Sequence, residues 1–172
     1  MPIIEGATGA LLTNAGAPAA GTNEVQTLTI GGTPTAGTFT LTFDGFTTGA
    51  ITWSATNATL LANINAALDL LPNVLTAGIV ATAGTLTAGI GTILLTFSGG
   101  NVAKRAVSTM TATSSLTGTS PTLAIAETTP GVDTTAIGSV KGQLLSDTTN
   151  GILYINTGTA LNPTWTKVGT QT

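Results

Sequence analysis

A strict alternation of threonine and large apolar residues runs through Thr38–Phe43, and it constrains this chain more than any other feature. Successive side chains of a strand point to opposite faces, so Phe39, Leu41 and Phe43 share one face and the threonines share the other. Threonine is β-branched and suits an extended backbone. The segment therefore predicts a strand with one buried face, and Asp44-Gly45 predicts a turn directly after it.

Similar signals recur on both sides of this strand. Val25–Ile30 also alternates, and Gly31-Gly32-Thr33-Pro34 is expected to break it, since Gly and Pro are the strongest local interruptions of regular structure. Gly-rich and Ser/Thr-rich clusters separate the remaining apolar segments, as expected for short strands joined by turns. These further strands are predicted over 51–53, 78–83, 92–98, 106–112 and 122–126.

One segment has a different period. The spacing of the apolar residues in 57–71 predicts an amphipathic helix whose apolar face packs on the strands before it. Pro72 is expected to end the helix, because proline clashes with the preceding turn. The residues on the apolar face are Leu60, Leu61, Ile64, Leu68 and Leu71.

The two ends of the chain differ from this central part. Residues 1–23 are rich in Gly and Ala without a sustained period, and they are interpreted as an extended N-terminal arm. Pro130-Gly131 closes the main domain, and 131–141 is expected to be a linker. Residues 142–172 predict a three-stranded meander over 143–145, 152–156 and 164–168, with Asn150-Gly151 as a hairpin turn.

The predicted fold class is mainly β with one α-helix. The main domain, 24–130, is expected to be β-sandwich-like or α+β, with the arm at 1–23 and the small meander at 142–172. A meander of this size is marginal alone, so Tyr154 and Trp165 need cover from another domain or chain, or form a cluster within the meander itself. The arm is either disordered or lies on a neighbouring subunit.

Composition excludes several classes of function. Only 6% of the residues are charged, against about 25% in ordinary domains. Histidine and cysteine are absent, so the chain lacks the commonest general base, the commonest metal ligand and the reactive thiol. The seven acidic residues are isolated along the sequence. We therefore expect no enzyme activity, no metal and no cofactor.

Charge and hydropathy also bear on possible partners. Four basic residues cannot neutralise a row of phosphates, so nucleic-acid binding is not expected. No apolar run approaches the roughly 18 residues of a membrane span, and the first residues lack the basic start of a signal peptide. Lys104-Arg105 is the one basic pair, and we expect a solvated loop or strand end there, or else contact with an acidic partner surface.

Two parts of the sequence resemble known virion proteins. Asn23–Leu28, Gly37–Gly45 and the segment Ala67–Asn73 at the end of the predicted helix resemble a module common in structural proteins of tailed bacteriophages. The stretches Gly151–Gly158 and Pro163–Gly169 resemble the small C-terminal β-unit of phage head-decoration and head-fibre proteins.

This resemblance implies a capsid decoration, or cement, protein. Such a protein would be a homotrimer on the outer capsid surface and would reinforce contacts between major capsid subunits. A head fibre or a module that binds host carbohydrate is the alternative. Contact with capsid or a neighbouring subunit is assigned as a hypothesis to apolar residues of the arm and aromatic residues of the meander: Ile3, Ile4, Leu11, Leu12, Tyr154 and Trp165.

Overall fold

The computed structural model describes residues 11–14, 16–75 and 77–170, and Ile3 and Ile4 lie outside them. The described part is mainly β with one α-helix, which confirms the predicted fold class. Its elements are β1 (Leu12–Asn14), β2 (Val25–Phe43), β3 (Phe46–Thr47), β4 (Ile51–Thr52), α1 (Asn57–Leu68), β5 (Ile79–Ala83), β6 (Gly91–Phe97), β7 (Thr111–Thr129), β8 (Leu144–Asp147), β9 (Ile152–Asn156) and β10 (Trp165–Lys167).

The chain divides into two compact units. Unit 2 is continuous and comprises Thr22–Val132. Unit 1 combines the residues before Thr22 with those from Asp133 onward, so unit 2 is inserted between its two parts. An antiparallel bridge between Thr22 and Val132 joins the two ends of unit 2.

Unit 2 contains a six-stranded sheet and helix α1, and β2 pairs with four of the other strands. Along its first half, β2 lies between β6 and β7, and β5 pairs with the other side of β6. Along its second half, β2 lies between β7 on one side and β3 and β4 on the other. All of these pairings are antiparallel.

The expected break at Gly31-Gly32-Thr33-Pro34 is wrong, because β2 continues through it. Shifts in the β2–β7 register between Gly31 and Thr33, and between Pro34 and Ala36, absorb these residues as bulges. Gly32 has a φ of 72°, and a Cβ there would collide with the carbonyl oxygen of Ser120. Glycine at position 32 therefore allows β2 and β7 to bend together while they stay paired.

One face of this sheet carries the core. Helix α1 packs against β4 and β5 through its buried side chains Leu60, Ile64 and Leu68. These meet the apolar residues of the strands, and the rings of Phe43 and Phe97 lie 5.3 Å apart within the same cluster. A helix, and not a second sheet, covers this face. Of the two architectures predicted for the main domain, β-sandwich-like and α+β, unit 2 therefore has the α+β one.

Unit 1 contains the predicted meander and one further strand. The sheet order is β1-β8-β9-β10, with β8, β9 and β10 antiparallel. Strand β1, from the segment expected to be an arm, pairs in parallel with β8. The carboxylate of Asp147 accepts a hydrogen bond from the backbone N–H of Gly16 at 3.0 Å. The described part of that segment is therefore held within unit 1.

Candidate functional site

The face of the unit 2 sheet opposite the core carries only uncharged side chains. In an antiparallel pair, residues directly opposite each other point to the same face. Thr29 stands opposite Thr92 and Ala124, and Thr40 stands opposite Thr113, all away from the core residues. We call this surface the neutral face. It comprises Val25, Thr27, Thr29, Thr38, Thr40, Thr42, Thr47, Thr52, Val80, Thr82, Thr92, Leu94, Thr96, Thr111, Thr113, Ser115, Ala124, Ala126 and Thr129.

The chemistry of the neutral face is that of hydroxyl and methyl groups. Neighbouring threonines hydrogen-bond to one another, as Thr27 does with Thr128 and as Thr42 does with Thr47 at 2.8 Å. Burying such a face desolvates no ion, and hydroxyl groups remain available for hydrogen bonds to a partner. The arrangement is suited to a large docking surface that takes no charged ligand.

A cleft of about 340 Å³ lies at one end of the unit 2 sheet. The end of β2, the turn at Asp44, Asn73 after the helix and the loop after β6 bring its walls together. Asn73 donates from Nδ2 to the carbonyl of Phe43 at 3.0 Å, and Asn101 donates to the carbonyl of Asn73 at 2.9 Å. Amide side chains therefore hold its walls, and Ser108 Oγ also donates to the carboxylate of Asp44.

Two buried polar residues fix the loop that forms one wall of the cleft. Glu24 accepts hydrogen bonds from Gln26 Nε2 at 2.6 Å and from the backbone N–H of Val107 at 2.8 Å. Gln26 donates to the carbonyl of Ser108 at 3.1 Å and accepts from the backbone N–H of Met110 at 2.8 Å. Both side chains are buried, so the loop depends on them for its position.

Arg105 in the cleft differs from the solvated residue that the sequence suggested. Its side chain is half-buried, and its Nε and one terminal nitrogen are buried with no hydrogen-bond partner among the described residues. Asn73 also lines the cleft, and its Oδ1 is a buried acceptor with no hydrogen-bond partner among the described residues. The cleft thus lies beside buried guanidinium donors and a buried amide acceptor that have no protein partner, and the basic pair Lys104-Arg105 was the one sequence signal for it.

The predicted contact residues of the arm fall into two groups. Leu11 is 54% exposed, and Leu12 is half-buried within β1. Ile3 and Ile4 precede the first described residue. Of the two described residues, Leu11 is therefore the more exposed.

The two aromatic residues of the meander occupy different environments. Tyr154 in β9 is only 7% exposed, so most of its ring is not accessible to a partner. Trp165 in β10 is half-buried, and its Nε1 donates to the carbonyl of Thr135 at 2.9 Å. The structure places the two on neighbouring paired strands without making both accessible.

The carboxyl group of Asp147, at the end of β8, has a lowered pKa. The side-chain amide of Asn150, at 2.7 Å, does most to hold the pKa of Asp147 below its ordinary value. Burial opposes this effect, and the backbone N–H groups of Asn150, Thr149 and Gly16 reinforce it. All these donors favour the ionised carboxylate, so Asp147 acts as a charged clamp of the β8–β9 turn.

The described residues contain no cluster of three or more acidic, histidine or cysteine side chains able to hold a metal ion. The helix found in this part of the chain lacks the length and hydropathy needed to cross a bilayer.

Comparison with known proteins gives likenesses in structure but none in sequence. No protein-family model matches the sequence, and no curated protein matches it either. A solved structure from Mycobacterium phage Patience aligns with 87% of this chain at 12% identity and a TM-score of 0.39. The alignment spans 56% of that structure's chain.

Proposed function

We propose that this protein is a non-enzymatic virion component that binds the outer surface of a phage capsid and reinforces contacts between major capsid subunits. The neutral face is the observation that carries the proposal. It is an open sheet surface built from threonine, serine, alanine, valine and leucine, and Thr29, Thr82 and Thr113 on it are exposed. The resemblance of the sequence to phage structural modules supports the choice of the major capsid protein as the partner of this surface.

The physical basis of reinforcement is preferential binding. A protein that binds the assembled shell and not its separated subunits stabilises the shell by mass action. A surface of hydroxyl and methyl groups supports lasting attachment, because its burial costs no desolvation of ions and salt does not screen it. Repetition of the site over a capsid multiplies modest single contacts.

The cleft beside Arg105 adds a directional contact to this surface. Arg105 lines the cleft, and a guanidinium matches an oxygen acceptor, such as a carboxylate or a peptide carbonyl of a capsid loop. Two nitrogens of Arg105 and the Oδ1 atom of Asn73 are buried without a protein partner, so a loop reaches them only if the cleft widens.

The experiment compares phage particles with and without the gene for this chain. We expect deletion particles to disrupt at a lower temperature, and purified protein added back to restore the wild-type value. Equal melting temperatures of the two particles would contradict reinforcement. Binding of the isolated protein to a glycan array, together with absence from the capsid, would favour the carbohydrate-binding alternative.

A further inference from the structure

The two long edges of the unit 2 sheet are protected to different degrees. At the β5 edge, Gly84 N–H donates to the carbonyl of Thr92, and Ser98 N–H donates to the carbonyl of Gly78. Even-numbered residues of β5 therefore turn their backbone N–H and carbonyl toward β6. Ala81 therefore turns its backbone outward. Its N–H donates to Asn65 Oδ1 at 2.8 Å, and its carbonyl accepts from Asn65 Nδ2 at 3.0 Å. The amide of Asn65 thus closes this edge.

The opposite edge is strand β7, which pairs with β2 and with no other strand of the described chain. The orientation of its backbone follows from β2. The backbone carbonyl of Glu24 accepts a hydrogen bond from Phe97 N–H. Every second residue of β2 counted from Glu24, including Leu28, therefore turns its backbone N–H and carbonyl toward β6. Leu28 stands opposite Ile125, so Ile125 turns its own N–H and carbonyl away from β2.

The same alternation applies to the neighbours of Ile125. Leu123 and Glu127 stand opposite Ile30 and Gln26, and their backbone groups also point outward. Apart from the pairing with β2, no backbone hydrogen bond involves 122–129 among the described residues. We call this stretch, Thr122–Thr129, the open edge.

Natural sheets usually block an exposed edge with lysine, proline, a bulge or a covering side chain. The first half of β7 has such a device, since Leu116 N–H donates to Ser114 Oγ at 3.3 Å. Pro121 and the bulge opposite it end the open edge on one side. Within the open edge the sequence is Thr-Leu-Ala-Ile-Ala-Glu-Thr-Thr, with one charge and no proline. The open edge therefore lacks these blocking features and can pair with a further strand.

We propose that the open edge pairs with the open edge of a second copy of this chain, antiparallel about a two-fold axis at Ile125. Ile125 would then face Ile125 of the second copy, and Leu123 would face its Glu127. Each such pair exchanges two main-chain hydrogen bonds. The pairing would also cover Leu123 and Ile125, which are half-buried against the core.

Charge is compatible with this self-pairing. Glu127 is the single ionisable side chain of the open edge, and the two-fold arrangement places the two copies of it four residues apart. That spacing is about 13 Å along a strand, beyond the Debye length of about 8 Å at physiological salt. Two copies of the edge therefore meet without close repulsion of like charges.

The test is the native mass of the full chain, measured by light scattering over a range of concentrations. We expect twice the chain mass of 16.9 kDa for the wild type. Glu127→Pro removes an outward N–H and spares the ladder with β2, so we expect a folded protein of single-chain mass. Ala126→Pro is the control, because the N–H of Ala126 faces β2 and its loss should lower the melting temperature.

Amide exchange gives a second readout that does not require a variant. We expect the N–H groups of Leu123, Ile125 and Glu127 to be protected in proportion to the fraction of paired chains. A monomer with rapid exchange at these amides would overturn the proposal, as would protection found only on capsids. The trimer implied by the resemblance would also overturn it, because two-fold pairing of one edge per chain joins two chains only.

Discussion

Asn65 binds Ala81 as a neighbouring strand would, with its side-chain amide both accepting from and donating to the backbone of that residue. Asn65 lies on α1 and Ala81 in β5, so the contact joins the helix to the sheet as well as closing the sheet edge. Ala81 is buried, and its backbone groups would have no protein partner without this amide.

Replacement of Asn65 tests the importance of this contact. We expect Asn65→Leu to lower the free energy of unfolding by about 3 kcal/mol, because a buried donor and a buried acceptor are both left unpaired. Asn63→Leu is the matched control on the same helix. It removes one exposed hydrogen bond to the carbonyl of Thr52, and we expect a cost below about 1 kcal/mol. Equal costs in urea unfolding would contradict this account of the edge.

The buried carboxylate of Glu24 should be the most sensitive acidic position of unit 2. We expect Glu24→Ala to destabilise unit 2 by about 2–4 kcal/mol, since the N–H of Val107 and the amide of Gln26 lose their acceptor. Glu127→Ala, at an exposed position, should change stability by less than about 0.5 kcal/mol. Denaturant unfolding followed by Trp53 fluorescence in a Trp165→Phe background measures both, and a similar effect of the two would refute the role given to Glu24.

Unit 1 should lose stability in acid through Asp147. Its pKa is lower in the folded than in the unfolded chain, so its contribution is fully present above the unfolded value of about 3.9. The contribution is lost as pH falls below that value and through the folded pKa. We expect Asp147→Asn to be less stable at neutral pH and to show a smaller loss on acidification.

The measurement for Asp147 uses Trp165 fluorescence in a Trp53→Phe background, so that unit 1 is followed alone. Unfolding is recorded from pH 7 down to pH 2 for both proteins. An identical acid dependence of stability with and without the Asp147 carboxylate would show that the clamp of the β8–β9 turn does not contribute.

Arg105 should matter for docking and not for folding. We expect Arg105→Met to leave the stability of the isolated chain unchanged or higher, because two buried guanidinium nitrogens have no partner to lose. Occupancy on particles, measured by gel densitometry, should fall. Lys141→Met, at an exposed position of unit 1, is the control and should keep wild-type occupancy. Full occupancy with Arg105→Met would exclude the cleft as an anchor.

The local pattern predicts those elements whose periodicity reflects burial on one face. The alternation in Thr38–Phe43 lies within β2, and the apolar stripe of 57–71 forms α1 over Asn57–Leu68. The meander also matches, because Asn150-Gly151 specifies the turn between β8 and β9. In each case the signal is contained in a few neighbouring residues.

Other features depend on pairing between distant residues and leave little local signal. The strand predicted over 106–112 is wrong for 106–110, which form a loop, and only its last two residues lie in β7. Pairing with β2 joins these residues to the predicted strand at 122–126 and holds Gly118 and Pro121 within one strand. The hydrogen bonds from Ala81 N–H to Asn65 and from Val107 N–H to Glu24 likewise join residues that are distant in the sequence. Because β7 forms one long edge, the open edge and much of the neutral face became recognisable only in the fold.

The most direct test of capsid docking is to place charge on the neutral face. Thr29 and Thr113 are exposed positions on neighbouring strands of that face, and Thr59 is an exposed position on α1. We expect the double variant Thr29→Lys/Thr113→Lys to fold normally, to bind deletion particles at least tenfold more weakly and not to restore their melting temperature. Thr59→Lys should bind and restore as the wild type does. Wild-type binding and restoration by the double variant would contradict the proposed docking surface.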